Sequence, residues 1–133
     1  MIKQFIQGRP ATESELFASL GSMVLSEEVH RRLGTSVNSR TGDIWWIFYD
    51  RGGARAGFAQ ARNQKNGLNV RYLYAIGHDG SSELTDAIVK FSSEVDCSRI
   101  FHQGQVGAHM WKKAGFSFVP NANDDCGTWE KNM

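Results

Sequence analysis

The chain has 133 residues, 41% of them hydrophobic and 22% charged, which is enough apolar matter for one core and too little charge for a disordered chain. Its formal net charge of +1 gives no bulk electrostatic case for nucleic acid or for an anionic membrane. No apolar run approaches the ~20 residues that span a bilayer, the opening "MIKQFIQGRP" has no secretory leader pattern, and Cys97 and Cys126 stand without a CxxC or a metal-ligand spacing, so a single cytoplasmic domain over residues 1–133 with two reduced thiols is expected.

In chain order, "IKQFIQG" alternates around Ile2, Phe5 and Ile6 and predicts a short strand ended by Gly8 and Pro10. Thr12 and Glu15 have the spacing of a capping box, and Leu16, Phe17, Leu20, Met23 and Val24 recur at helical spacing. Ser26 opens a second helical piece, "EEVHRRLG", closed by Gly34. "DIWWIFYD" is an aromatic, β-branched strand; a tryptophan of it exposed at a subunit interface or an acceptor cleft is the alternative to a core strand, which keeps a homodimer open. "RGG" turns the chain into "ARAGFAQAR", and "NQKNG" turns it again into "LNVRYLYAI". Period two puts Leu68, Val70, Tyr72 and Tyr74 on one face of that strand and Asn69, Arg71, Leu73 and Ala75 on the other.

"IGHDGSS" then reads as a glycine-marked turn before a helix, "SSELTDAIVKFSSEV", whose apolar stripe is Leu84, Ile88, Phe91 and Val95. "SRIFHQ" is a short strand, "QVGAHMWKKAG" a short helix with Val106, Met110 and Ala114 on one side, and "FSFVP" and "CGTWEKN" a closing hairpin. The order is β-α-α-β-β-β-α-β-α-β-β. The helix between residues 68–76 and 98–103 makes that strand pair parallel.

This order, with "WKKAGF" at residues 111–116 and the turn "GHDGSS", resembles the Gcn5-related N-acetyltransferase family over nearly the whole chain. Trp111 stands at the tyrosine of that family's Tyr-x-x-x-Gly-Phe segment. Gly80 and Ser82 match the fourth and sixth positions of its pyrophosphate loop, and Gly77 replaces the leading Gln or Arg. The resemblance implies an α/β fold of the acyl-CoA N-acyltransferase type: a mixed sheet with an antiparallel meander, one parallel pair and helices on both faces. It implies acetyl transfer from acetyl-CoA to an amine, carried by a small molecule or a protein. Backbone groups of Tyr74, Ala75 and Ile76 would face the pantetheine, and those of Gly77, His78, Gly80, Ser81 and Ser82 the pyrophosphate.

His102 and Tyr74 are the candidate catalytic groups, since a histidine titrates in the range needed to deprotonate an amine. His78 is a second candidate base. Trp111 departs from the family's general-acid tyrosine, because an indole N–H is a poor proton donor. For "GHDGSS" the alternative is an ordinary strand-to-helix turn, with flexibility from Gly80 and a cap from Ser81 or Ser82. Two other functions stay open: a non-catalytic binding or assembly protein on the same fold, as in some viral virion proteins, and a nucleic-acid-modifying enzyme, which would need the basic clusters "HRR" and "RGGAR" to converge with Arg62, Lys65 and Arg71.

Overall fold

The computed structural model describes residues 1–8, 18, 21, 29, 31, 33, 40–105, 108–122 and 125–133. Aromatic and β-branched runs become strands: β1 (Ile2–Ile6), β2 (Ile44–Tyr49), β3 (Arg55–Gln64) and β4 (Gly67–Ala75) form an antiparallel meander. Helix α1 (His78–Glu94) crosses over to β5 (Arg99–Gln105), helix α2 (His109–Lys113) follows, and β6 (Ser117–Pro120) and β7 (Cys126–Asn132) close the chain. The seven strands make one sheet in the order β1-β2-β3-β4-β5-β7-β6. β7 enters between β5 and β6, so the last hairpin is bound to the sheet by its second strand. β4 and β5 are the parallel pair expected from the intervening helix. The two helical segments expected between residues 12 and 33 fall almost wholly outside the described residues; Ala18, Gly21, Val29, Arg31 and Leu33 are helical.

Both sheet faces are buried. On one, Trp46, Phe48, Ala59, Val70 and Leu73 meet Leu84, Ile88 and Phe91 of α1. On the other, Trp45, Ile47, Phe58 and Tyr72 pack with Phe5 and Val29, and Leu33 lies against them. Trp45 and Trp46 are 2% and 1% exposed, which corrects the alternative of an exposed tryptophan in "IWWIFY". Their indole N–H groups are satisfied by Gln7 and Gln4 side chains from β1 and its end. The α1 stripe ends at Phe91, for Val95 is the C-cap and is 40% exposed. In α2 the residue turned fully inward is Trp111; Met110 and Ala114 are half-buried and Val106 lies outside the described residues.

One irregularity sets the rest. β3 and β4 pair in register up to Ala61↔Val70, and then Gln60 pairs with Tyr72, leaving Arg71 as an extra residue. Such a bulge bends the strand and resets its alternation. Leu68 and Val70 therefore share a face with Leu73 and Ala75, whereas Tyr72 and Tyr74 lie on the opposite side. This corrects the face assignment drawn from period two, which a single inserted residue inverts.

Candidate functional site

The bulge coincides with a break in the sheet. β4 and β5 are paired at Leu68↔Ile100 and Asn69↔Phe101, and the ladder ends there. The closed end is tight: Gly67 has a φ of 136°, and a Cβ on it would stand 2.6 Å from the Arg99 carbonyl oxygen, so glycine is required for the strands to meet. Beyond Asn69 the strands separate, and a cavity of about 500 Å³ lies in the wedge. Arg71 and Leu73 of β4, His102 and Gln103 of β5, and Met110 and Trp111 of α2 form its walls, and Arg31 reaches its rim.

At the mouth of the wedge, His102 Nδ1 lies 2.8 Å from the Val70 carbonyl oxygen. A carbonyl only accepts, so Nδ1 carries the proton and Nε2 is left as the basic nitrogen. Gly104 gives that nitrogen room, since a Cβ there would stand 2.8 Å from Nε2. Burial pushes the His102 pKa below its ordinary value, and the bond to Val70 opposes this to a lesser extent. The ring is therefore neutral at neutral pH. It stacks on Trp111 with centroids 4.7 Å apart, and Trp111 meets Phe116 edge-on at 5.0 Å. Trp111 is fully buried, yet its indole N–H has no hydrogen-bond partner among the described residues. The other three tryptophans all have one, the third being Trp129 to the Gln105 carbonyl. A buried donor left unpaired costs about 1–3 kcal/mol.

A second cavity of about 400 Å³ separates α1 from α2, with Ser81, Ser82, Thr85 and the carboxylate of Asp86 on one side and Lys113 on the other. Met110 lines both cavities, so it stands between the first turn of α1 and the wedge. α1 starts at His78, three residues before the expected cap, so "HDGS" is its first turn and not a loop. The N-cap is Gly77, with φ 88° and no side chain to cap the helix. Ser81 and Ser82 therefore do not cap it; Thr85 donates to both of their carbonyls. Gly80 is buried in helix-to-sheet packing, where a Cβ would meet Phe48 at 3.0 Å and Ala75 at 3.1 Å. The helix dipole and the uncapped first turn favour an anion here, and the carboxylate of Asp79 in the same turn opposes one.

The remaining candidates separate. Tyr74 packs on Phe58, centroids 5.9 Å apart, and is not among the residues that line the wedge. Ala75 is half-buried beside Gly57, and the Ile76 N–H donates to the Ala56 carbonyl at 2.9 Å. His78 heads α1, and nothing further is described of its side chain. Arg62 does not join a basic surface: it is bound bidentately to the buried Asp43, at 2.7 and 2.9 Å. A larger cavity, about 680 Å³, lies on the β2 side of α1, but Asp50, Asp79 and Glu83 line it and disfavour a polyphosphate. Sequence reasoning missed Arg71 as a site residue. The one available signal was a charge inside an otherwise apolar, aromatic strand.

No family model matches the chain, and no curated protein matches it. Solved structures do. The chain superposes on TofI in an apo form with a TM-score of 0.72 at 14% identity, over 98% of this chain and 90% of that one. For an aminoglycoside 6'-acetyltransferase type Ii the TM-score is 0.64 at 17% identity, over 99% and 96%. The fold is that of the Gcn5-related N-acetyltransferases. A third structure with this fold, a Bacillus anthracis protein described as a streptothricin acetyltransferase, was solved in complex with acetyl coenzyme A; its TM-score is 0.60 at 14% identity, over 71% of this chain and 65% of that one. In the described residues of the present chain, no helix is long and apolar enough to cross a membrane, and no cluster of three metal-ligating side chains occurs.

Proposed function

We propose that the protein is an acetyl-CoA-dependent N-acetyltransferase acting in the cytoplasm, where the thiols of Cys97 and Cys126 stay reduced. The observation that carries this reading is the splayed β4–β5 pair with a cavity in its wedge, while α1, which follows β4, has an uncapped N-terminus. Acetyl-CoA, when bound, supplies an acyl group activated as a thioester. The first-turn N–H groups of α1 hold the pyrophosphate, and Lys113 adds a positive charge across the groove. His102 Nε2 takes the proton from the acceptor ammonium, because only the neutral amine attacks a carbonyl. Trp111 backs the His102 ring by stacking on it and does not act as an acid. Among the described residues no tyrosine lines the wedge, so water or the protonated His102 would be the proton source for the leaving group, and water would take up the other proton released as the amine becomes an amide.

Calorimetric titration with acetyl-CoA and CoA tests the reading directly. Saturation in the micromolar range and a rise in Tm with cofactor concentration are expected, since a ligand at about 100 times its Kd stabilises by ~2.7 kcal/mol. No heat and no Tm shift at millimolar cofactor would sink it. A second reading, a binding or assembly protein without catalysis, is favoured by the charge of the first turn of α1: Asp79 lies in it, and no arginine or glutamine leads it. Thiol release in the presence of an amine, abolished by His102→Gln with the fold intact, separates the two.

A further inference from the structure

The β4 bulge does more than open the wedge; it turns a charged side chain toward it. Arg71 is half-buried, and its Nη1 donates to the fully buried Gln60 at 3.1 Å. Its Nη2 donates to the Tyr72 hydroxyl at 3.2 Å, with the guanidinium 5.0 Å above the Tyr72 ring. All of these partners are neutral. Among the described residues Arg71 has no carboxylate partner, whereas Arg62 is neutralised by Asp43 and Arg99 by Glu130. Among the described residues no aspartate or glutamate lines the wedge, and the second cation at its rim, Arg31, adds to the same sign. A positive charge fixed by neutral groups beside a concave, partly apolar cavity is an anion receptor. Two of the guanidinium's five N–H donors are used, so enough remain for a forked contact.

We propose that Arg71 binds the carboxylate of the acceptor, so that the acetylated amine belongs to an amino-acid-like molecule. A carboxylate carries the single charge that the one anchored guanidinium balances. Leu73, Met110 and Trp111 give the apolar wall for its side chain. This rests on the acyl-transfer reading, and the test separates the two. Binding of L-leucine, L-methionine and L-glutamine is measured by calorimetry without cofactor, against the three corresponding carboxamides. Thiol release from acetyl-CoA is then followed with the same six compounds.

At least one acid should bind about ten- to hundredfold more tightly than its amide. Arg71→Gln should abolish that ratio while leaving amide binding and Tm nearly unchanged, and Arg71→Lys should restore part of it. Equal binding of acids and amides, a ratio that survives in Arg71→Gln, no binding by any of the six, or capture of inorganic phosphate in preference to the acids would overturn the proposal. Acid-selective, Arg71-dependent binding without thiol release would sink the transferase reading and leave the carboxylate site standing. Equal thiol release with acids and amides would do the reverse.

Discussion

His102 joins three roles in one ring: it bonds the Val70 carbonyl, stacks on Trp111 and offers Nε2 to the wedge. Because burial lowers its pKa below the ordinary value of about 6.5, the folded state prefers the neutral ring. The sign follows from linkage. Below pH ~6.5 the unfolded chain binds a proton that the folded chain resists, so the His102 contribution is present above that pH and is lost as pH falls through the folded value. The same titration governs catalysis. The acid limb of kcat/KM should have its midpoint below ~6.5, and activity should be flat above it up to the range where other groups titrate. His102→Gln should remove both the acid limb and most of the rate, and should flatten the fall of Tm in acid. Gly104→Ala is the finer variant, because its Cβ pushes on Nε2 while adding no polar group. It should lower kcat at least tenfold, equivalent to about 1.4 kcal/mol, with Tm nearly retained. An acid limb centred above pH ~7, or one that persists in His102→Gln, would remove His102 from the chemistry.

At the scale of elements, α1 and β4 fix the site between them. Gly80 lets the first turn of α1 sit against Phe48 and Ala75, so the N-terminal N–H groups are held over the end of β4. Gly80→Leu forces that turn outward, and overpacking of this kind costs about 1–3 kcal/mol. Urea denaturation should show that loss, calorimetry should show a parallel loss of acetyl-CoA affinity, and Ser82→Ala should leave stability within ~0.5 kcal/mol. Full stability in Gly80→Leu would mean that the helix start is not pinned there. These two elements also show which features the sequence carried. The strands were readable because aromatic and β-branched residues alternate on a two-sided core, and the parallel crossover followed from the helix between two strands. The bulge was not readable: one inserted residue leaves local alternation intact on either side, and only cross-strand pairing with Gln60 and Ala61 exposes it. Arg71 was accordingly placed by period two as an ordinary face position. The start of α1 was misread because two glycines in "GHDG" carry turn character. Helix packing on Phe48 overrides that local preference, as tertiary contacts commonly do. Trp111 was legible as a motif position, but its unpaired N–H depends on neighbours more than ten residues away.

At the scale of the molecule, the sheet is two plates joined at one end. β1 to β4 form one plate and β5, β7 and β6 the other, and the ladder between them is confined to Leu68↔Ile100 and Asn69↔Phe101. Two further bonds join the plates, Arg99 to the Asn66 carbonyl at the closed end and His102 to Val70 at the mouth of the wedge. Helix α1 packs across both plates. Leu68 and Ile100 are fully buried, and each contributes about 1.5–3 kcal/mol by leaving water. This design concentrates the cohesion of the plates at the closed end and leaves the open end for a ligand. Leu68→Ala should then cost about 2–5 kcal/mol in urea denaturation, since the cavity forms where little else can collapse into it. Val119→Ala, on the exposed edge strand β6 and 49% exposed, should cost no more than ~0.5 kcal/mol. A ligand that bridges the open end should compensate the first variant more than the second, so millimolar acetyl-CoA should raise the Tm of Leu68→Ala by at least as much as that of the parent. A cost below about 1 kcal/mol for Leu68→Ala would show that α1, and not the two-residue ladder, holds the plates together.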